Sequence, residues 1–284
     1  MSAVGAEGQG GAVAGDPLVG DALVVDAVAH AFRAAGASAG AGWFTRRGET
    51  SPVLGETSFT VDPGTLTAIV GPSGCGKSTL LRVLAGLLRP AQGSARIGDR
   101  ELVGAPGGVA YHPQRDALLP WLRALENITL GAETAGRDRV AARTEALSLL
   151  ERFGLTGQER AWPDELSGGM RQRVALLRTF LMPQRALVLD EPLGALDALT
   201  RRRLQHWLLD ITASDRRPIL LVTHDIEEAL LLADRVLVLS DRPGKVVHVE
   251  DRPDAATRTR EHDDGSDRGP LRRVLAVLDG RAAA

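Results

Sequence analysis

Residues 71–79 read GPSGCGKST and match the pattern G-x-x-x-x-G-K-[ST], which constrains the fold more than any other feature of this sequence. A loop of this kind surrounds phosphate groups with backbone N–H groups, and its lysine reaches back over the loop to the outer phosphates. Lys77 is one of only two lysines among the 34 basic residues. Lysine is a compact charge on a flexible stem, whereas arginine is a planar fork, so we expect arginine to replace Lys77 poorly. The loop predicts a nucleotide-binding site.

The segments around this loop occur in the order that such a loop requires. Residues 66–70 form a short apolar run typical of a strand, and residues 80–84 continue as an amphipathic helix. Strand-like and helical segments then alternate over most of the remaining chain. This alternation predicts an α/β fold with a mainly parallel sheet.

Composition excludes several classes of protein. The net charge of −2 provides no basic field for nucleic acid. No apolar run approaches the roughly 18 residues that a membrane-spanning helix needs, and no signal peptide is recognisable. The single cysteine, Cys75, excludes an internal disulfide and favours a reducing compartment.

The two ends of the chain differ from its middle. Residues 1–21 are rich in glycine and alanine without a period, which predicts a disordered N-terminal tail. Residues 251–284 are predicted to form a charged C-terminal tail with a short helix near residues 271–278.

Residues 186–191 form a continuous apolar run that ends in two acids, Asp190 and Glu191. Such a run predicts a buried parallel strand, and ligands of open α/β sheets lie at the carboxyl ends of their strands. Asp190 is placed to hold Mg²⁺, which binds few carboxylates and keeps several waters. Glu191, one residue further, suits a general base that activates water. The alternative for either acid alone is a solvated acidic turn.

Residues 166–173, LSGGMRQR, predict the start of another helix, with Ser167 as its N-cap. Gly168 and Gly169 allow close backbone approach, which would make this a second anion-binding helix N-terminus. In isolation, a capped surface helix explains the segment equally well.

Taken together, these motifs resemble the ATP-binding subunits of ABC transporters over roughly residues 22–250. The resemblance rests on the glycine-rich loop, LSGGMRQR, ALVLDEPLGALD at 186–197 and the later Thr223-His224-Asp225. The runs at 190–201 and 223–240, with LLPW at 118–121 and RPGK at 242–245, are similar to the nitrate, sulfonate and taurine branch of importers. The implied fold is a P-loop NTPase (RecA-like) with a mainly parallel sheet core, an antiparallel β portion and an inserted α-helical signature subdomain at about 115–182.

The resemblance also implies a role for individual residues. Catalysis would involve Glu191, His224, Gln114 and Lys77, and Mg²⁺ would be held by Ser78, Gln114 and Asp190. Contacts with ATP are implied for Phe32, Gly71, Pro72, Ser73, Gly74, Cys75, Gly76, Lys77, Ser78, Thr79, Gln114, Ser167, Gly168, Gly169, Asp197 and His224. The signature segment would contact the ATP bound by a second copy, so each site would need two chains.

The implied assembly is a homodimer of ATPase subunits under two transmembrane permease subunits, at the cytoplasmic face of the membrane. An extracytoplasmic solute-binding protein would deliver the substrate, and no nucleic acid would be involved. Trp121 would belong to the surface that receives the permease, its alternative being a core tryptophan. The identity of the solute stays open.

Several positions depart from the family pattern. The ring that stacks on adenine is usually a tyrosine, whereas Phe32 stands at the matching place; Trp43 and Phe44 are alternatives, and a core phenylalanine is the other interpretation of Phe32. His112-Pro113 precedes Gln114 where apolar or aromatic residues are usual. The helix N-terminus is expected to lower the pKa of Cys75, and alkylation of its thiol to block nucleotide binding.

Other classes fit less well. A soluble ABC ATPase acting in DNA repair or translation generally carries two cassettes, long coiled coils or zinc-binding cysteines. A P-loop kinase leaves LSGGMRQR and His224 unexplained, and exporter ATPases often have fused membrane segments.

Overall fold

The computed structural model describes residues 21–33, 50–194, 196–252 and 269–280. Residues 1–20 and 253–268, as well as Trp43 and Phe44, therefore lie outside the described residues. None of the helices in the described ranges is long and apolar enough to cross a membrane.

The core of the protein is a six-stranded sheet. Its spatial order is β10 (Val246–Asp251), β9 (Arg235–Leu239), β3 (Leu66–Val70), β8 (Ile219–Val222), β7 (Leu187–Asp190) and β6 (Ala110–His112). All neighbouring strands are parallel except β10, which runs antiparallel to β9. Every residue of β3, β7 and β8 is buried, which explains their predominantly apolar sequences.

A second, antiparallel sheet has the order β2 (Thr50–Val61), β1 (Leu23–Arg33), β4 (Gln92–Ile97) and β5 (Arg100–Glu101). Side chains of this sheet share a core with helix α1 (Lys77–Leu84) and with one face of the parallel sheet. Alternation along β3 divides the two cores: Ile69 belongs to this one, whereas Leu66, Ala68 and Val70 face the other.

The remaining helices are α2 (Ala124–Thr134), α3 (Arg139–Arg152), α4 (Gly168–Leu181), α5 (Ala198–Ser214), α6 (Ile226–Leu232) and α7 (Gly269–Leu278). Helices α2, α3 and α4 lie between β6 and β7 in the chain and pack on one another. Aspartates at the N-caps begin α3, α5 and α6, each by accepting a hydrogen bond from a backbone N–H in the first turn.

The predicted fold class, a mainly parallel sheet with an antiparallel portion and inserted helices, is confirmed. The predicted limits of the cassette at 22–250 and of the helical subdomain at about 115–182 stay predictions. The parallel arrangement brings the ends of β3, β6, β7 and β8 to one edge of the sheet, and the candidate site is built there.

Candidate functional site

The loop after β3 folds around the ammonium group of Lys77. The Nζ atom donates hydrogen bonds to the carbonyl oxygens of Gly71 at 2.6 Å and Pro72 at 2.9 Å. Lys77 is buried although it carries a charge, with 8% of its surface exposed. Gly76 is the N-cap of α1 and has a φ of 109°, a conformation open to glycine but strained for other residues. The lysine is therefore held over the loop by backbone contacts.

The turn between β9 and β10 packs against the phosphate loop at 71–79. The Gly244 N–H lies 3.0 Å from the carbonyl oxygen of Cys75 and 3.1 Å from that of Val53. A Cβ atom at position 244 would overlap the Cys75 carbonyl oxygen, so only glycine fits. Val53 belongs to β2. It also lies close to Gly76, where a Cβ would be 2.8 Å from the Val53 carbonyl oxygen. Both contacts make the shape of the loop depend on distant parts of the chain.

Asp190 ends β7 next to the first turn of α1. The Ser78 hydroxyl donates to Asp190 Oδ1 over 3.3 Å. Burial raises the pKa of the Asp190 carboxyl, and the hydrogen bond from Ser78 opposes this shift. A hydroxyl and one carboxylate oxygen at this spacing are hard oxygen donors of the kind that Mg²⁺ accepts, together with water and phosphate. The two side chains fit a magnesium ion.

Three side chains meet at the next residue, Glu191. The Gln114 amide nitrogen donates to Glu191 Oε2 at 3.2 Å, and His224 Nδ1 also lies 3.2 Å from Oε2. The Glu191 backbone has a φ of 49°, which is unusual for a residue with a side chain. Its N–H donates to the Val222 carbonyl oxygen at 2.8 Å, which anchors this conformation to the neighbouring strand β8. The structure thus gathers Gln114, Glu191 and His224 from the ends of three strands.

The signature segment lies at the start of α4. Ser167 is the N-cap, as predicted, and its Oγ accepts from the Met170 N–H at 3.3 Å. Ser167 and Gly168 are exposed, and Gly169 is half-buried. Within the described ranges, no hydrogen bond joins residues 167–169 to the loop at 71–79.

Asp197 begins α5 in a comparable way. Its Oδ1 accepts from the Thr200 N–H at 3.0 Å. This side chain is exposed, and the hydrogen bonds from Thr200 lower the pKa of its carboxyl. The structure therefore does not bring Ser167 and Asp197 into contact with the phosphate loop of the same chain.

Comparison with known proteins agrees with this geometry. Residues 54–194 match the family model described as ABC transporter. The chain is 47% identical over 194 residues to the formylaminopyrimidine import ATP-binding protein of Halalkalibacterium halodurans, covering 68% of this chain and 76% of that protein. It is 44% identical over 198 residues to the taurine import ATP-binding protein of Yersinia pestis, with coverages of 69% and 77%.

The fold leads to the same group of proteins. A dimeric bacterial ABC transporter cassette superimposes with a TM-score of 0.70 at 25% identity, covering 84% of this chain and all of that one. The chain belongs to the ABC transporter ATP-binding family. The resemblance drawn from the motifs is confirmed, and this ABC cassette is a member of an ATPase family.

Two alternatives left open for aromatic residues of the cassette are wrong. Phe32 is 43% exposed and is therefore not a core phenylalanine; its ring packs edge-on against His30 at 4.7 Å between centroids. Trp121 is 68% exposed, which excludes a core tryptophan. The choice of Phe32 as the adenine-stacking ring stays a prediction.

The expected direction of the pKa shift of the Cys75 thiol is also wrong, whereas the effect of its alkylation stays a prediction. Its pKa is raised rather than lowered, because burial outweighs the favourable charge of Lys77. Only 1% of Cys75 is exposed. A thiol at this helix N-terminus is thus less reactive than its position in the sequence indicates.

Sequence reasoning missed two parts of the site. Gly244 lies in the RPGK segment, but nothing in that segment indicates contact with the phosphate loop. Tyr111 and Arg82 lie near the Asp190 carboxylate, and burial together with the Asp190 charge raises the pKa of Tyr111 to about 12. The proximity of these residues to Asp190 can be predicted only when the order of the strands in the sheet is known.

Proposed function

We propose that this cassette is the ATP-hydrolysing subunit of an importer for a small solute of the nitrate, sulfonate or taurine kind. The observation that carries the proposal is the Glu191 carboxylate, held by Gln114 and His224 at the edge of the sheet beside the phosphate loop. The names of the relatives, which are import ATP-binding proteins for formylaminopyrimidine and taurine, support the direction of transport.

In this proposal the loop at 71–79 binds the phosphates of ATP. Backbone N–H groups of the loop and the N-terminus of α1 provide partial positive charge, and Lys77 provides a full one. The side chains of Ser78, Asp190 and Gln114 would hold Mg²⁺, which would supply positive charge to neutralise the phosphates. Phe32, exposed on β1, stacks on the adenine ring.

Glu191 acts as the general base for the attacking water. Its carboxylate is oriented by Gln114 and by His224, which is exposed and free to approach the γ-phosphate. The backbone contact to Val222 keeps the Glu191 carboxylate at the end of β7. Because phosphoryl transfer depends mainly on position and charge, small displacements of these groups reduce the rate strongly.

The exposed signature segment completes the site of a second copy. Ser167, Gly168 and Gly169 present a helix N-terminus that is separate from the loop of their own chain. In a homodimer, each such helix end faces the ATP bound by the partner, with Asp197 beside the shared boundary. ATP then joins the two subunits, and hydrolysis releases them.

The remaining partners follow from an import function. Two permease subunits contact the exposed surface around Trp121, and a solute-binding protein delivers the substrate on the other side of the membrane. The cassette is then peripheral to the cytoplasmic face of the membrane through its permeases. Co-purification with a membrane subunit tests this assembly.

The decisive test of the hydrolytic mechanism is Glu191→Gln, which keeps the shape of the side chain and removes the base. We expect kcat to fall at least about 100-fold while ATP affinity is retained. Size-exclusion chromatography should detect an ATP-dependent dimer of this variant. Glu227→Gln, an exposed glutamate on α6, is the matched control. Normal hydrolysis by Glu191→Gln would contradict the assignment of the base.

A further inference from the structure

A buried chain of hydrogen bonds connects the signature helix α4 to two other parts of the site. His112 lies at the end of β6 and is fully buried. Its Nδ1 lies 3.3 Å from the Thr179 hydroxyl, and its Nε2 lies 3.2 Å from the Gln172 amide nitrogen. The same amide nitrogen donates to the Pro192 carbonyl oxygen at 3.2 Å. Thr179 and Gln172 both belong to α4.

The hydrogen bonds among Thr179, His112 and Gln172 can be assigned in only one donor-to-acceptor direction. The Thr179 hydroxyl donates its single proton to the Ala175 carbonyl oxygen at 3.1 Å, so its oxygen accepts from His112 Nδ1–H. His112 Nε2 is then unprotonated and accepts one N–H of Gln172, while the other N–H reaches Pro192. Reversing the Gln172 amide would place two acceptors, its own oxygen and the Pro192 carbonyl, against each other.

His112 is therefore neutral, with its proton on Nδ1. The ring is fully buried, and both of its nitrogens are occupied by these contacts with α4. A protonated ring would present a second donor to the Gln172 amide, and the contact would be lost. The network gives a hydrogen-bond partner to both ring nitrogens of His112, to the Thr179 hydroxyl and to the Gln172 amide nitrogen, as buried polar groups require.

The network ends beside Glu191 and close in the chain to Gln114, one of the two side chains that contact the Glu191 carboxylate. Pro192 directly follows Glu191, whose backbone has the unusual φ of 49°. Gln114 lies two residues beyond His112 along the chain, after Pro113. Gln172 belongs to the helix that begins at the signature residue Ser167. One amide group thus contacts the segments that carry the candidate base and its partner.

We propose that His112 and Gln172 are positioning residues that transmit the placement of the signature helix to Gln114 and Glu191. The inference rests on the roles proposed above for Gln114 and Glu191. A displacement of α4 moves the Gln172 amide, and with it the Pro192 carbonyl and the end of β6. A change in the position of the signature helix therefore changes the position of the Glu191 carboxylate through hydrogen bonds within one protein chain.

The first test is His112→Leu, which leaves the Gln172 amide and the Thr179 oxygen without their histidine partner. We expect kcat per nucleotide-binding site to fall at least about tenfold, with KM and Kd for ATP within about twofold of the parent. Normalising to bound nucleotide separates misplacement from loss of folded protein. A variant with a lower melting temperature but an unchanged kcat per site would overturn the proposal.

Thr179→Val and Thr179→Ser provide a second, milder test that does not depend on the folding of His112→Leu. Valine removes the acceptor of the His112 N–H, whereas serine retains it. We expect kcat per site to fall about threefold or more in the valine variant and to stay within about twofold of the parent in the serine variant. Equal kcat values per site for the two variants would contradict the network's role.

Isotope-edited NMR of histidine ¹⁵N provides a readout independent of rate. With the His112 signal assigned by its loss in His112→Leu, we expect a protonated Nδ1 and an unprotonated Nε2 at pH 7. The opposite tautomer would overturn the assigned direction of the hydrogen bonds. Failure of the proposed function is distinguishable, since Glu191→Gln would then hydrolyse ATP normally whatever the result at His112.

Discussion

Helices α1 and α4 both begin in glycine-containing segments, but their N-termini are built in opposite ways. The start of α1 is enclosed: Lys77 is buried, Gly76 adopts a left-handed conformation, and no side chain caps the helix. The start of α4 is open, with an exposed serine cap followed by the exposed Gly168 and the half-buried Gly169. The first helix end has its counter-charges and supports within its own chain. The second offers backbone groups to another molecule.

This difference teaches that two similar phosphate-binding signals in one sequence need not belong to one site. An enclosed helix end binds a ligand by itself, whereas an open one contributes to a site that another surface completes. Variants at each end should therefore fail in different ways.

The largest effect is expected from Lys77→Ala. Removing the only charged side chain held inside the loop should weaken ATP binding by about 100-fold or more, as measured by isothermal titration or nucleotide fluorescence. Lys77→Arg should also be impaired, because the broader guanidinium does not fit between the Gly71 and Pro72 carbonyls.

Lys245→Ala is the natural control, since Lys245 is the other lysine of the chain and its side chain is exposed. We expect its ATP affinity to equal that of the parent. Full ATP affinity in Lys77→Arg would break the argument that the enclosed helix end requires a compact cation.

At the open helix end, Ser167→Arg should separate binding from hydrolysis. We expect ATP affinity of the isolated subunit to stay within about twofold of the parent, and steady-state hydrolysis to fall at least about 100-fold because the bulky side chain obstructs the partner's site. The variant also loses its N-cap, which costs about 1 kcal/mol of stability.

Asp138→Arg is a matched control because Asp138 caps α3, and this variant loses a comparable cap away from the proposed dimer surface. Its hydrolysis rate should be preserved. If Ser167→Arg instead lost ATP affinity to the same degree as Lys77→Ala, the two helix ends would belong to one site within a single chain.

The smallest effect is expected from Gly244→Ala, in the turn that packs against the phosphate loop. The added methyl group overlaps the Cys75 carbonyl oxygen and should displace the loop, weakening ATP binding by about threefold to tenfold. Lys245→Ala serves again as a control, since it alters the adjacent side chain without crowding Cys75. Unchanged affinity in Gly244→Ala would mean that the loop keeps its shape without this support.

The sequence predicted those parts of the site that depend on short stretches of chain. The strand, loop and helix around Lys77, the strand ending at Asp190 and the helix beginning at Ser167 all follow from local pattern. What it did not predict are contacts between distant segments. Gly244 against Cys75 and Gln172 against His112 depend on which strands lie side by side, and the sheet order differs from the chain order.

Local sequence rules also predicted the wrong direction for the pKa shift of Cys75. The position of Cys75 at a helix N-terminus favours the thiolate, but burial opposes it more strongly, so the thiol pKa rises. The amount of burial is a property of the whole fold, since the turn at Gly244, far along the chain, packs directly on Cys75. A single motif cannot contain that information.

The contacts of Lys77 have a consequence for the timing of hydration changes. An ammonium group in water is surrounded by tightly held solvent, and removing that solvent is costly. Here the Gly71 and Pro72 carbonyls take the place of water when the chain folds. The dehydration of the charge therefore belongs to the folding of the protein, and an arriving anion exchanges one set of oxygen partners for another.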